Sequence, residues 1–208
     1  MAVAELSPSP TEAASAEQLA AGLQQAAKNH GITLQPDRLS FLAGKAERAR
    51  TTIAAGGKAA YNHNGLFVAP ASPLQDGSGT IAEVHFAPKI PEAPRGATTS
   101  QPQLRTQLLH TGIQELQNYA LLVEAGALEQ PDTLLGGTNN PEMAKIAERV
   151  GFRPINEAGG IAAPFDAVQE GIFAPEIIRL DNMLARRLAG EVVGSLAAGL
   201  GIAAPPQL

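Results

Sequence analysis

Two side chains that could exchange a proton, Glu83 and His85, stand one residue apart in the segment 80–87. Apolar and polar residues alternate there, which predicts a β-strand whose alternate side chains share one face. A carboxylate and an imidazole on one face could accept a proton from a reacting group, directly or through water. The same pattern fits a strand whose polar side faces solvent, so both interpretations stay open.

A second chemical feature is the loop that leads into an amphipathic helix predicted for residues 103–120. The loop spans residues 95–100 (RGATTS), and Pro102 stands at the start of the helix. Unpaired amides and the dipole at a helix N-terminus stabilise bound anions such as phosphates. A helix-capping loop without any ligand would have the same composition.

The best-specified local structure lies in residues 132–155, where a short apolar run, a Gly-Gly turn and a helix follow one another. Asn140 can cap the helix through its side-chain oxygen, and Pro141 suits the first helical position. Gly151 can supply the left-handed residue that ends the helix, so that Phe152 folds back onto the last turn. The turn before this helix could also hold a phosphate, which leaves a phosphate- or nucleotide-binding α/β domain as an alternative.

The residues of this helix resemble the late strand–helix motif of the GNAT N-acyltransferase superfamily. That motif reads Asn-x-x-Ala, an aromatic residue four positions on, and Gly-Phe after four more; Asn140, Gly151 and Phe152 match it. Met143 stands where the family usually has a small residue, and Ala147 where it often has the tyrosine that protonates the leaving thiolate. The predicted elements between residues 65 and 155 also follow the order of the family.

The resemblance implies an α/β (α+β) fold, with a mixed, mainly antiparallel sheet flanked by helices. It implies acyl transfer from acetyl-CoA, another acyl-CoA or an acyl carrier to the amine of a small molecule or a protein. Glu83 is then the first choice of catalytic base and His85 the second, because the family's base is often a glutamate on this strand. The implied cofactor contacts are Phe86, Ala87, Arg95, Gly96, Thr98, Ser100 and Asn140.

A second interpretation is a GNAT-like domain that is catalytically inactive and serves binding or assembly. Thr98 and Ser100 replace the later glycines of the family's phosphate-binding loop, and Ala147 removes the usual acid. These substitutions favour a domain without turnover, whereas Glu83 and His85 on one strand face favour catalysis.

The chain is predicted to form a single domain, with helical segments at both ends of a GNAT-like core. Residues 1–10 would be a flexible lead, 11–60 a helical segment, 61–160 the core and 161–208 a helical segment packed on the core. Beyond the strand expected at 152–155, an irregular Gly/Ala/Pro stretch continues to Ala174, and a helix then opens at Pro175. The apolar side of this last helix could cover the core or form a homodimer contact.

Composition limits the classes of function. The 208 residues are 44% hydrophobic and carry a net charge of −5, so nothing electrostatic favours nucleic acid as a partner. There is no cysteine, which excludes disulfides and thiolate catalysis, and the four histidines lack metal-ligand spacing. The sequence has neither the pattern of a signal peptide nor an apolar run of membrane-spanning length. We therefore expect a soluble cytoplasmic protein of bacterial type without a metal cofactor.

Overall fold

The computed structural model describes residues 16–87, 101–138, 141–156 and 159–199, which form a mixed α/β fold. The helices in these ranges are α1 (Ala16–Asn29), α2 (Pro36–Ala54), α3 (Gln101–Glu124), α4 (Pro141–Arg149), α5 (Phe165–Ile172) and α6 (Pro175–Gly199). The strands are β1 (Tyr61–His63), β2 (Leu66–Val68), β3 (Ser72–Pro73), β4 (Thr80–Phe86), β5 (Thr133–Gly137), β6 (Arg153–Pro154) and β7 (Gly160–Pro164).

The strands form one open sheet in the order β1-β2-β4-β5-β7-β6, and the short β3 pairs with β4 beside that path. β4 and β5 run parallel, and every other strand pair in the described residues is antiparallel. A parallel pair needs a crossover connection, and α3 lies in the chain between the two strands. The predicted α+β class, with a mainly antiparallel sheet flanked by helices, is confirmed.

The side chains of strand β4 show which face of the sheet is covered and which is open to solvent. Ala82 and Val84 are buried, whereas Glu83 and His85 between and after them are exposed, as the alternation predicts. Leu116 of α3 and Ile146 of α4 share a cavity with Val84, so these helices pack on the covered face. The prediction that Glu83 and His85 lie on one face is therefore confirmed.

Helix α3 is the central element of the core. It contacts α1, α2, α4, α5, α6 and β2, and most side chains from Ile113 to Val123 are buried. A helix that is buried around most of its circumference belongs to the centre of a domain. The helix extends four residues beyond the predicted end at 120, and the turn that follows contains Gly126 at φ +69°.

The segment after β6 differs from the sequence prediction. The prediction of an irregular stretch up to Ala174 was wrong, because that stretch contains strand β7 and helix α5. β7 has little intrinsic β propensity, but it pairs with β5 on one side and β6 on the other. In α5 the residues Phe165, Val168 and Ile172 are buried at helical spacing.

Helices α2 and α6 each begin at a proline. α2 begins at Pro36, inside the helical segment predicted for residues 11–60, and α6 begins at Pro175, as predicted. α6 continues to Gly199, so Gly190 does not end it although glycine weakens a helix interior. Of the helices in the described ranges, none combines the length and the apolar composition that a bilayer crossing requires.

Candidate functional site

An apolar cavity of about 50 Å³ lies where β4 and β5 end. Because the two strands are parallel, their carboxyl ends meet at the same edge of the sheet, which is the edge at which parallel α/β sheets bind ligands. The cavity is lined by residues of β2, β4, β5, α3, α4 and β7, with Thr138 and Phe152: Leu66, Val84, Phe86, Leu116, Gly136, Gly137, Thr138, Ile146, Ala147, Phe152 and Ile161.

Glycines shape this cavity. A Cβ on Gly136 would lie 2.6 Å from the carbonyl oxygen of Val84, so only glycine permits this approach of the strands. Gly151 has φ +102°, and the N–H of Phe152 donates to the carbonyl of Ala147 at 2.9 Å. The predicted glycine stop after α4 is thus confirmed, and it turns Phe152, which is 4% exposed, into the cavity wall.

The predicted site residues divide between the two faces of the sheet. Phe86 lines the apolar cavity, and the N–H of Ala87 donates to the carbonyl of Gly65 at 2.8 Å. The side chains of Glu83 and His85 are 66% and 64% exposed on the opposite face, with Oε2 and Nε2 3.8 Å apart. The remaining predicted contacts, Arg95, Gly96, Thr98, Ser100 and Asn140, lie outside the described residues.

A second, polar cavity of about 380 Å³ lies between α2, α3 and the turn that joins β1 to β2. Its lining contains Asp37, Arg38, Phe41, Asn64, His110, Thr111, Gln114, Glu115 and Asn118. It contrasts with the apolar cavity in chemistry, because almost every side chain in its wall carries a charge or a hydrogen-bonding group.

Glu115 provides a buried carboxylate at this polar cavity. The Tyr61 hydroxyl donates to Oε2 at 2.5 Å, while His63 Nδ1 and Asn64 Nδ2 each lie 2.8 Å from Oε1. Three partners compensate for the desolvation of a side chain that is only 3% exposed. Burial and the Glu115 carboxylate raise the pKa of Tyr61 well above its ordinary value, so the hydroxyl stays protonated as the donor.

A histidine–carboxylate pair lies beside it. His110 Nδ1 is 2.8 Å from Asp181 Oδ1, and the amide of Gln114 donates to the other oxygen of Asp181. Because an ionised carboxylate can only accept, the neutral form of His110 that makes this bond carries its proton on Nδ1 and a lone pair on Nε2. The arrangement fixes both the tautomer and the orientation of the imidazole.

Arg38 completes the polar wall. Its Nε and Nη2 donate to Asn118 Oδ1 at 3.3 and 2.9 Å, which uses two of its five N–H donors. Burial lowers the pKa of Arg38, although the carboxylates of Asp181 and Glu115 act in the opposite direction. The guanidinium thus stands in a partly desolvated setting between two acidic groups.

Sequence reasoning missed this polar cluster. The local indication is Glu115, a carboxylate inside a run of residues that a buried helix face requires to be apolar. His110 and Asp181 are separated by 71 residues, so their spacing carries no motif. Among the described residues, no group of three or more histidines and carboxylates is arranged to hold a metal ion.

The chain matches no family model, no curated protein and no solved structure. The functional assignment therefore depends on the two cavities, on the chemistry of their walls and on the motif in residues 132–152.

Proposed function

We propose that the protein transfers an acyl group from acyl-CoA, or from an acyl carrier, to an amine. The observation that carries the proposal is the apolar cavity at the shared carboxyl ends of β4 and β5. The thioester end of the donor would occupy this cavity, with Phe86 on one side. The order of β4, α3, β5 and α4 also agrees with the order that the GNAT resemblance implies.

The reaction forms a C–N bond and breaks the C–S bond of the thioester. An ammonium first loses one proton, the neutral amine attacks the carbonyl carbon, and the thiolate leaves when the tetrahedral intermediate collapses. The second proton of the amine nitrogen ends on the thiolate, which leaves as a free thiol. No oxidant or reductant is required.

The volume of the apolar cavity supports a short acyl group. About 50 Å³ is only a few times the roughly 10–15 Å³ that a single water occupies on this measure. An acetyl group fits such a space better than a long chain, which favours acetyl-CoA as the donor. The cofactor's phosphates would then contact Arg95, Gly96, Thr98 and Ser100, as the resemblance implies, and the resemblance gives Asn140 a cofactor contact as well.

The positions of the two candidate bases, on the open face of the sheet, argue against a direct role for either in proton transfer. Glu83, the first choice, and His85 lie on the side of β4 opposite the cavity, so either would act only through water around the strand end. That position favours the alternative of a GNAT-like domain that binds a thioester without turnover. Cytoplasmic location and homodimer formation through α6 belong to the same proposal.

Calorimetric titration of the full chain with CoA and acetyl-CoA is the decisive experiment. We expect micromolar binding, weakened by Arg95→Ala in the loop and by Ala147→Leu, which fills the apolar cavity. Met183→Ala, on an exposed part of α6, is the control and should bind like the wild type. The absence of binding at millimolar ligand would overturn the CoA proposal.

Turnover separates the two remaining interpretations. A chain that binds acetyl-CoA and releases CoA when amines are added is an acyltransferase. A chain that binds acetyl-CoA tightly but transfers nothing to any of a broad panel of amines is a binding domain. Binding of a nucleotide or of inorganic phosphate without CoA would instead support a phosphate-binding domain.

A further inference from the structure

The polar cavity has no role in donor binding, yet it is built like a ligand site. Its volume of about 380 Å³ falls within the range of about 300–1,000 Å³ that is typical of small-molecule sites. We propose that it binds the primary ammonium group of the acceptor and that His110 takes its proton, an inference that rests on the proposed acyl transfer. Asp181 is the positioning residue of His110.

Charge selects the class of ligand. Asp37 and Glu115 line the cavity together with the basic Arg38, and the buried Asp181 bonds to two further lining residues, His110 and Gln114. An excess of negative charge in a partly desolvated space attracts a cation and repels an anion. The ring of Phe41 contributes an aromatic wall, and it already attracts the ammonium of Lys45, whose Nζ lies 5.4 Å from the ring centroid.

The geometry of His110 suits a proton acceptor. In the neutral imidazole Asp181 holds the proton on Nδ1, so Nε2 has a lone pair, and His110 itself lines the cavity. Transfer of one proton from the ammonium to Nε2 gives a neutral amine and an imidazolium. Asp181, 2.8 Å from Nδ1, stabilises that imidazolium, the role of the carboxylate in histidine–aspartate catalytic pairs.

The two cavities are neighbours in the fold. Leu116 lines the apolar cavity and follows Glu115, which lines the polar one. Leu66 lines the apolar cavity and stands two residues after Asn64, which lines the polar one. Adjacent residues of α3 and of the β1–β2 hairpin thus contribute to both cavities, and the proposed transfer requires an amine bound in the polar cavity to reach a thioester bound in the apolar one.

Nuclear magnetic resonance of the full chain, with labelled histidines, tests the ammonium site. The probe is propylammonium near neutral pH, with propanol and propionate as its uncharged and anionic counterparts. We expect a saturable shift of the His110 resonances with propylammonium alone, and assignment by His110→Gln. Nitrogen shifts should place the His110 proton on Nδ1, and Asp181→Asn should change that tautomer balance.

Affinity for propylammonium should fall at least about tenfold in Asp181→Asn. Asp166→Asn is the matched control: this exposed carboxylate on α5 accepts a bond from Gln130 Nε2 at 3.0 Å, and its loss should leave binding unchanged. Should Asp181→Asn fail to fold, His110→Gln provides the comparison, with its propylammonium affinity measured by calorimetric titration because the His110 resonances are then absent. A response to propionate equal to that of propylammonium, or no saturable shift at His110, would overturn the ammonium site.

A kinetic measurement separates this inference from the donor proposal. If acetyl-CoA binds, His110→Gln should lower kcat by about 100-fold without changing donor affinity. If propylammonium binds while acetyl-CoA does not, the result supports the ammonium site but contradicts its role as the acceptor site of an acyl transfer. If acetyl-CoA binds and turns over while His110→Gln has no effect on kcat, His110 is not the base.

Discussion

Two histidine–carboxylate pairs in this protein have the same chemistry and opposite settings. Glu83 and His85 belong to one strand, lie 3.8 Å apart and are about two-thirds exposed. His110 and Asp181 belong to two helices, lie 2.8 Å apart, and are 26% and 9% exposed. Water and salt screen the first pair, whereas Gln114 and the surrounding helices hold the second in one geometry.

The difference shows what local spacing can and cannot provide. Residues at i and i+2 of a strand share a face automatically, but nothing in that spacing brings a third group to hold them. The packing of α3 on α6 costs chain entropy. It holds the imidazole of His110, the carboxylate of Asp181 and the amide of Gln114 in one arrangement. Preorganised groups are the ones that support proton transfer.

The largest effect on stability should come from replacing Glu115, the buried carboxylate at the polar cavity. Glu115→Leu removes the acceptor of Tyr61, His63 and Asn64 and leaves their donors without a partner, which should lower the free energy of unfolding by about 3 kcal/mol. Glu83→Leu, on the open face, should change it by less than about 0.5 kcal/mol. Urea denaturation of both variants gives the two values.

Tyr61→Phe is the control for this first comparison. It removes the hydroxyl that Glu115→Leu would leave unpaired, so the double variant should be more stable than the sum of the two single losses predicts. An equal loss of unfolding free energy in Glu115→Leu and Glu83→Leu would show that the buried carboxylate stabilises the fold no more than the exposed one.

The sequence predicts the fold class well because its features are local. The alternation in β4, the proline that opens α6 and the glycine that ends α4 each act within a few residues. β7 could not be predicted in this way, since Gly-Ile-Ala-Ala-Pro becomes a strand only through the two neighbours that it pairs with.

The polar cluster illustrates the same limit for function. Tyr61 and Glu115 are 54 positions apart, and His110 and Asp181 are 71 apart, so only the packed helices and hairpin bring them together. Periodicity could have located Glu115 on a buried helix face, but it names none of the three groups bonded to it. The predicted pair Glu83 and His85 was visible because it is local, and it is exposed because it lies on the open face of the sheet.

A third pair tests an intermediate setting. Glu124, about 20% exposed, lies 2.6 Å from His30 Nε2. Burial raises the pKa of Glu124, but hydrogen bonds from Asn29, His30 and Gln169 more than offset this, so the net pKa lies below its ordinary value. These contacts join α1, α3 and α5, and Glu124→Gln should cost about 1–2 kcal/mol near neutral pH.

The pH dependence of this third pair has a defined sign. A folded pKa below the unfolded one means that Glu124 contributes stability above its unfolded pKa and loses it as pH falls through the folded pKa. Wild-type stability should therefore drop more steeply than that of Glu124→Gln as pH is lowered below about 5. Urea midpoints measured across this range provide the slopes, and parallel curves would show that the hydrogen bonds to Glu124 do not depend on its charge.

The smallest effect is expected for the exposed pair itself. A double-mutant cycle with Glu83→Gln and His85→Gln should give a coupling free energy of no more than about 0.5 kcal/mol, reduced further by added salt. The same cycle at His110 and Asp181 should give about 1–3 kcal/mol and respond little to salt, because partly buried charges are screened less. A large, salt-resistant coupling at Glu83 and His85 would mean that another group covers the open face in solution. That result would return the pair to candidacy as the catalytic base, because a covered Glu83 would no longer face bulk solvent and could reach the reacting group through a bound water.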